Sequence, residues 1–341
     1  MTWSDPVVET VLPGVHRAPV PLPHDGLRAI NTYLIEDGDG VTMIDAGWDS
    51  PLAREAVDAG LAAAGAEIGD VRRILVTHIH YDHVGQATEL VRAGAGGYWL
   101  GTHETDSFKS VVDDPYAAWR ERLAQLRRHG GAELADNREV EPPSLEPVDW
   151  DEPIHWAEDG DRYDGGSEPI HAIHTPGHTN GHLCFEHEGR RVLFSGDHVL
   201  PHITPSIGFE SITNRMALAD FLSSLARVRT MDVDLVLPAH GEPFTDLAGR
   251  VDELTAHHDT RLAHCVAAIG PGGTADAYQV AGRLGWTRRE TPFEQLDLFN
   301  KVLATWETAA HLELLAARGE LTRDDDGPTI TFTAPSPDAT G

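Results

Sequence analysis

This 341-residue chain predicts an α/β fold followed by a small C-terminal winged-helix-like helical domain. Three observations lead there. Apolar strand-like runs alternate with helical periodicity over residues 1–245. Clusters of histidine and aspartate stand at the ends of several of those runs. From about residue 246 the texture turns to amphipathic helices. At roughly 150 residues per domain, two domains are expected: one over 1–245, with 105–165 read as a lid-like insertion, and one over 246–334. A disordered tail over 335–341 completes the reading.

The elements follow in order. Val7–Val11 and Val15–Val20 flank the Pro13-Gly14 turn, and Asn31–Glu36 and Val41–Ile44 flank Asp37-Gly38-Asp39-Gly40, a stretch suited to a hairpin. Ser50 and Pro51 have the residue types of an N-cap and a first helical position, and they open a helix to Ala64. Strand Ile74–Thr77, helix Val84–Arg92 and strand Gly97–Leu100 continue the rhythm. Residues 105–165 break it. Tyr116, Trp119, Leu123 and Leu126 recur at helical spacing over 115–129, and an acidic, proline-rich linker follows, from Glu141-Pro142-Pro143 to Glu152-Pro153. A second strand-rich block runs from Ile170 to Phe194, then helix 214–229 and strand Leu235–Leu237. Leu247, Val251, Leu254, Leu262, Val266 and Ile269 form one apolar stripe. A short helix over 275–284 comes next. Thr291-Pro292-Phe293-Glu294 has the form of a capping box and opens a helix to Arg318. A hairpin around Asp324-Asp325-Asp326-Gly327 closes the domain.

Charge narrows the partners. Lys plus Arg is 26 and Asp plus Glu is 55, a net charge of −29. That field repels phosphate backbones and anionic membrane surfaces, so neither nucleic acid nor membrane is an expected partner. The acidity fits solubility or a salty cytoplasm equally well. Two cysteines, Cys184 and Cys265, are too few for a disulfide framework and point to a reducing compartment. The first residues lack a signal-peptide pattern, and no apolar run nears the ~18 residues of a membrane span. The expected location is cytoplasmic.

Against this background stand 20 histidines. Thr77-His78-Ile79-His80-Tyr81-Asp82-His83 puts four metal-competent side chains within six residues of a strand end. Imidazoles at i and i+2 share one side of an extended chain. Asp82 and His83 lie where the chain turns into a helix and aim elsewhere, so the spacing can feed two metals. Three further motifs follow apolar runs: Thr175-Pro176-Gly177-His178-Thr179-Asn180-Gly181-His182, Ser195-Gly196-Asp197-His198 and Pro238-Ala239-His240-Gly241. Each alone is a weak signal; all four in this order are a strong one.

The set resembles the metallo-β-lactamase superfamily over about residues 8–250. The resemblance implies an αββα sandwich with a dinuclear metal site along one edge. It implies that His78, His80 and His178 hold one metal, that Asp82, His83 and His240 hold the other, and that Asp197 bridges them. Asp45, in Ile44-Asp45-Ala46-Gly47, matches the family's structural Asp-x-Gly element and is read as support behind the site. Ligands of this kind, without thiolate, suit two divalent ions, Zn²⁺ first, with Fe or Mn as alternatives. Two metals about 3.5–4 Å apart share a water and lower its pKa, giving a bridging hydroxide that attacks an electrophilic centre. Asp82 is placed to orient that nucleophile while ligating, a catalytic role.

Departures narrow the branch. Retention of Asp197 and the absence of an export signal separate the chain from true β-lactamases, and no flavodoxin module is visible. The acidic C-terminal end does not fit a glutathione site of the glyoxalase II kind, although the ligand set is shared. The overall layout is closest to β-lactamase-like-protein-2-type hydrolases, which carry a winged-helix-like C-terminal domain and include thioesterases. The expected reaction is cleavage of a small ester-like molecule, thioester ahead of lactone. Phosphodiester cleavage (a nuclease included) is the alternative, and a DNA-binding regulator ranks below it. The C-terminal domain is expected to cover the active-site rim or to form a homodimer interface.

Weaker candidates carry two readings each. His182 fits a contact within the site, with a position behind the ligands or in the core as the default. His202 fits a substrate contact on a loop. Tyr116 and Trp119 fit a substrate pocket, with a helix packing face as the default. His103 and Glu104 are read as structural, Cys184 as a small buried residue. Arg120, Arg122, Arg127 and Arg128 fit either a solvated face or an anchor for a phosphate-bearing thioester.

Overall fold

The computed structural model describes residues 2–23, 26–38, 40–137, 148–166, 168–210 and 212–336. Most of the proline-rich linker and most of the tail from 335 lie outside the described residues. The chain forms two compact units: 1–108 with 149–205 and 223–251, and 109–148 with 206–222 and 252–341.

Seven strands make the first sheet of the first unit, in sequence order: β1 (Glu9–Leu12), β2 (Val15–Pro21), β3 (Ala29–Glu36), β4 (Val41–Ile44), β5 (Val71–Leu75), β6 (Tyr98–Gly101) and β7 (His155–Ala157). β1 to β4 pair antiparallel, and β4 to β7 pair parallel. The second sheet takes β8 (Arg162–Tyr163), β9 (Ile170–His174), β10 (Leu183–His187), β11 (Val192–Gly196) and β12 (Leu235–Pro238), in the order β12-β11-β10-β9-β8. Both sheets supply one buried core. Tyr33, Ile44 and Leu75 come from the first, and Ile170, Phe185, Phe194 and Leu237 from the second. Parallel pairs need crossovers, and α1 (Pro51–Ala63) is the one between β4 and β5. Its Ser50 hydroxyl accepts from Ala53 N, and Pro51 opens the first turn.

The helix expected over Val84–Arg92 is two pieces, α2 (Tyr81–Val84) and α3 (Ala87–Arg92), split at Gly85. A Cβ there would clash with Tyr81 O and stand 3.1 Å from both Asp49 N and Gly47 O, so the α2 carbonyl excludes a side chain and the neighbouring loop adds to the crowding.

The remaining helices are α4 (Thr105–Asp113), α5 (Pro115–Arg128), α6 (Ala132–Ala135), α7 (Ala217–Val228), α8 (Leu247–Ile269), α9 (Ala277–Ala281) and α10 (Leu298–Ala317). In the second unit β13 (Thr274–Ala275), β16 (Thr322–Asp324) and β17 (Thr331–Thr333) form a sheet in the order β13-β17-β16, and β14 (Gly285–Trp286) pairs with β15 (Thr291–Pro292).

Three expectations change. Residues 155–163 supply β7 and β8 to the sandwich, so the insertion is shorter than 105–165. Its middle part, 109–148, belongs to the same unit as 252–341, so the division is not the linear one expected at 245/246. Thr291-Pro292 opens only a single 3-10 turn, Phe293–Gln295, not the long helix. The pair is held in a short ladder against Gly285–Trp286, whose buried indole donates to Ala281 O. α10 starts six residues later than Pro292, where the Asp297 carboxylate accepts from Asn300 N and caps the new helix.

Candidate metal centre

The candidate ligands all lie just past the C-terminal ends of strands of the sandwich. His78 and His80 follow β5, with Asp82 and His83 on α2. His178 sits in the loop from β9 to β10. Asp197 follows β11, and His240 follows β12. His78 Nε2 and His178 Nε2 lie 2.9 and 3.0 Å from His80 Nδ1. Asp82 Oδ2 lies 3.3 Å from His240 Nε2 and 3.6 Å from His83 Nε2. Asp197 faces both groups: Oδ2 is 3.6 Å from His178 Nε2, and Oδ1 is 3.7 Å from His83 Nε2 and 3.5 Å from His240 Nε2. The donor atoms therefore group as His78-His80-His178 and as Asp82-His83-His240, with Asp197 reaching to each side.

Tautomers follow from the partners. His83 Nδ1 lies 2.9 Å from Asp45 Oδ2, and His240 Nδ1 lies 2.8 Å from Ala29 O. Both partners only accept, so both Nδ1 atoms carry hydrogen and each ring presents Nε2 to the cluster. Asp45, in the left-handed region at φ 59°, also accepts from Thr77 N at 2.7 Å and Thr77 Oγ1 at 3.0 Å. It is thus a brace between two ligand-bearing segments. His182 is fully buried. Its Nε2 accepts from Asp197 N at 3.1 Å, which leaves hydrogen on Nδ1 for Thr175 Oγ1 at 2.8 Å. Asp45 and His182 both stand behind the donor groups rather than within them.

Charge is concentrated here. Burial pushes the Asp82 carboxyl up, but the His83 and His240 imidazoles beside it hold it well below the usual range. Burial lowers His240, yet the Asp197 and Asp82 carboxylates outweigh it and raise the ring to about 10. Burial and the neighbouring rings of His83, His80 and His178 drive His78 down. The residues fit divalent cations. Nε2 of His83 and of His240 and Oδ1 of Asp197 are buried and make no hydrogen bond, a costly arrangement for a polar cluster unless a cation receives those lone pairs.

Three expected substrate contacts stand outside this donor set. His202 is exposed on the segment after β11. On α5, Tyr116 is 48 % exposed, while Trp119 is 8 % exposed and packs as a helix face does. Sequence reasoning gave Glu104 no part in the site. Its carboxyl is fully buried and accepts from Ile79 N and Thr179 Oγ1, between the two ligand loops. The available signal was its position directly after a buried strand, like the ligand motifs.

The sequence signature of the metallo-beta-lactamase superfamily matches residues 25–240, a span that holds all seven candidate ligands. The chain belongs to the metallo-beta-lactamase superfamily. Two solved proteins of related description share its fold. A metallo-beta-lactamase family protein from Thermus thermophilus is 29 % identical, with TM-score 0.76, covering 95 % of this chain and 100 % of that one. A beta-lactamase domain protein from Burkholderia ambifaria is also 29 % identical, with TM-score 0.78, covering 98 % and 95 %. The "Probable metallo-hydrolase YqjP" of Bacillus subtilis is 25 % identical over 93 % of this chain and 96 % of its own. "Lactamase-like protein adaB" of Aspergillus niger is 28 % identical over 71 % of this chain, which spans only 59 % of that protein. An atrochrysone carboxyl ACP thioesterase of Aspergillus fumigatus is 26 % identical over 68 % of this chain and 42 % of its own length. The relatives it is similar to thus include a named probable metallo-hydrolase and a named thioesterase. No helix among the described residues is long and apolar enough to cross a membrane.

Proposed function

We propose that this enzyme is a dinuclear metal-dependent hydrolase that cleaves a small thioester, with a lactone as the second choice. The carrying observation is the Asp197 carboxylate, whose two oxygens address two different donor groups. The relationship to a named ACP thioesterase supports thioester over lactone.

Two divalent cations, zinc first, would supply Lewis acidity and a water acidic enough to ionise near neutral pH. His78, His80 and His178 would hold one, Asp82, His83 and His240 the other, and Asp197 both. The protein's own residues do the rest. Asp45 and the Ala29 carbonyl lock the His83 and His240 rings so that Nε2 faces inward. Asp82 has a second carboxylate oxygen with which to orient the attacking water. His78, His83, His178, Asp197 and His240 are buried, whereas His80 and Asp82 keep partial access to solvent. His202, in the same unit as the donor groups, remains a substrate contact proposed on sequence grounds. The β13-β17-β16 order with α8, α9 and α10 supports a winged-helix-like C-terminal part.

The test is hydrolysis of thioester, lactone and phosphodiester panels by the zinc-loaded chain at known stoichiometry. Thioester turnover exceeding the other two supports the reading. Turnover of phosphodiesters alone would assign the protein to the nuclease-like alternative.

A further inference from the structure

The three imidazoles of the first donor group come from two separate loops, 78–80 and 175–182. Their nitrogens converge to 2.9 and 3.0 Å on His80 Nδ1. The backbone ties the loop bases through Leu183 N donating to Thr77 O at 2.8 Å. The tips need a link of their own, because His178 lies five residues before Leu183. One side chain stands between them. Glu104, on the short turn after β6, is 0 % exposed. Its Oε1 accepts from Thr179 Oγ1 at 2.5 Å and from Ile79 N at 3.4 Å. Ile79 lies between the two ligands of one loop, and Thr179 follows the ligand of the other. Oε2 is buried and makes no hydrogen bond. Room for this side chain is kept by Gly181, where an added Cβ would meet Glu104 Cγ and Glu104 N at 2.5 Å. A buried carboxyl is expensive, and this one reaches both ligand loops.

We infer that Glu104 is a positioning residue that joins the tips of the two loops bearing His78, His80 and His178 and sets their spacing for one metal ion. It touches neither metal nor substrate in this role; it acts through Ile79 and Thr179. The inference rests on the dinuclear reading, since it needs those three histidines to bind a cation together. Reach matters, not charge. One oxygen makes both contacts, so glutamine can replace glutamate, whereas aspartate is one methylene too short.

Zinc affinity of the full-length holoprotein, read by competition with a chromophoric chelator, tests this without any substrate. Wild type should hold close to two zinc ions. Glu104→Ala and Glu104→Asp should weaken one of the two by between about 10- and 100-fold, the range of losses when a support behind a ligand is removed. Glu104→Gln should stay within about threefold of wild type. Thr179→Val should weaken the same ion and Thr179→Ser should restore it, and Glu104→Ala with Thr179→Val should cost no more than the larger single change, because both cut one link. These Thr179 variants keep the test decisive if Glu104→Ala does not fold. Two zinc ions at unchanged affinity in folded Glu104→Ala or Thr179→Val overturn the role, as does retention by aspartate with loss by glutamine. Fewer than two zinc ions in wild type would overturn the dinuclear reading itself, and the inference with it.

Discussion

Asp197 divides its two oxygens between two groups of imidazoles, and few substitutions should be as informative. Asp197→Ala removes the one donor common to both groups, so metal and turnover should disappear together. The expected result is a fall from close to two ions per chain to one or none, with activity down by more than roughly 100-fold, beyond what loss of an outer support costs. Elemental analysis beside a rate assay checks this; full turnover in the variant would remove the bridging role. Asp45→Ala should be milder, about 10- to 100-fold in metal affinity, since the His83 ring would lose the acceptor that fixes its tautomer. The seven candidate ligands were legible because each follows an apolar strand end in a recognisable motif. Glu104 was not. A single glutamate after a strand reads only as structural, and its place in the site is decided when His80 and His178, 98 residues apart in the chain, come together beside it.

At the scale of elements, the helix boundaries set by local chemistry were the readable ones. Ser50 with Pro51 fixed the start of α1, and Asp114 with Pro115 caps α5, where Ala117 N donates to Asp114 Oδ1 at 2.8 Å. What could not be read was the company α5 keeps. Arg128 Nη1 and Nη2 donate to Gly327 O and Asp325 O, Ile330 N donates to Arg128 O, and Tyr278 N donates to His129 O. Arg127 pairs with Asp136, and the half-buried Arg122 lies over the Phe209 ring, 4.5 Å from its centroid. Those arginines are engaged within the second unit, which favours the structural role over capture of a phosphate-bearing substrate. Two outcomes follow from this. Arg127→Ala should cost less than about 1 kcal/mol, because its pair with Asp136 is largely solvent-exposed, and should leave KM equal for charged and neutral thioesters. Deleting 112–150 should not merely open a lid; it should strip the packing of 252–336 and make that stretch sensitive to limited proteolysis. A deletion variant as resistant as wild type would return the segment to the status of a lid.

For the molecule as a whole, the net charge of −29 and the buried histidines pull the pH response in opposite directions. Acid relieves the self-repulsion of a strongly anionic chain, but most carboxylates take up protons only near pH 4. The buried rings respond sooner. His258 and His311 are both almost fully buried in the second unit, with His258 Nδ1 3.1 Å from His311 Nε2 and His311 Nδ1 2.7 Å from Glu307 O. That carbonyl only accepts, so His311 carries hydrogen on Nδ1 and receives one on Nε2 from His258; the His311 ring must be neutral for the chain to close. Burial lowers His311 to about 4, and it lowers His129 to about 4 as well. The unfolded chain, with histidines near 6.5, therefore binds more protons than the folded one between pH 6.5 and 4. Stability conferred by these rings is complete above that window and is lost as pH falls through it, by roughly 2 kcal/mol per ring at pH 5. Thermal melts should show Tm falling by several degrees between pH 7 and pH 5, despite the shrinking net charge. Metal release at low pH would act in the same direction, so the comparison belongs in the Asp197→Ala background. There, His311→Gln should start less stable at pH 7 and show a visibly flatter dependence. Parallel Tm curves for the two proteins would mean that the histidine pair does not govern the acid response and that another group must.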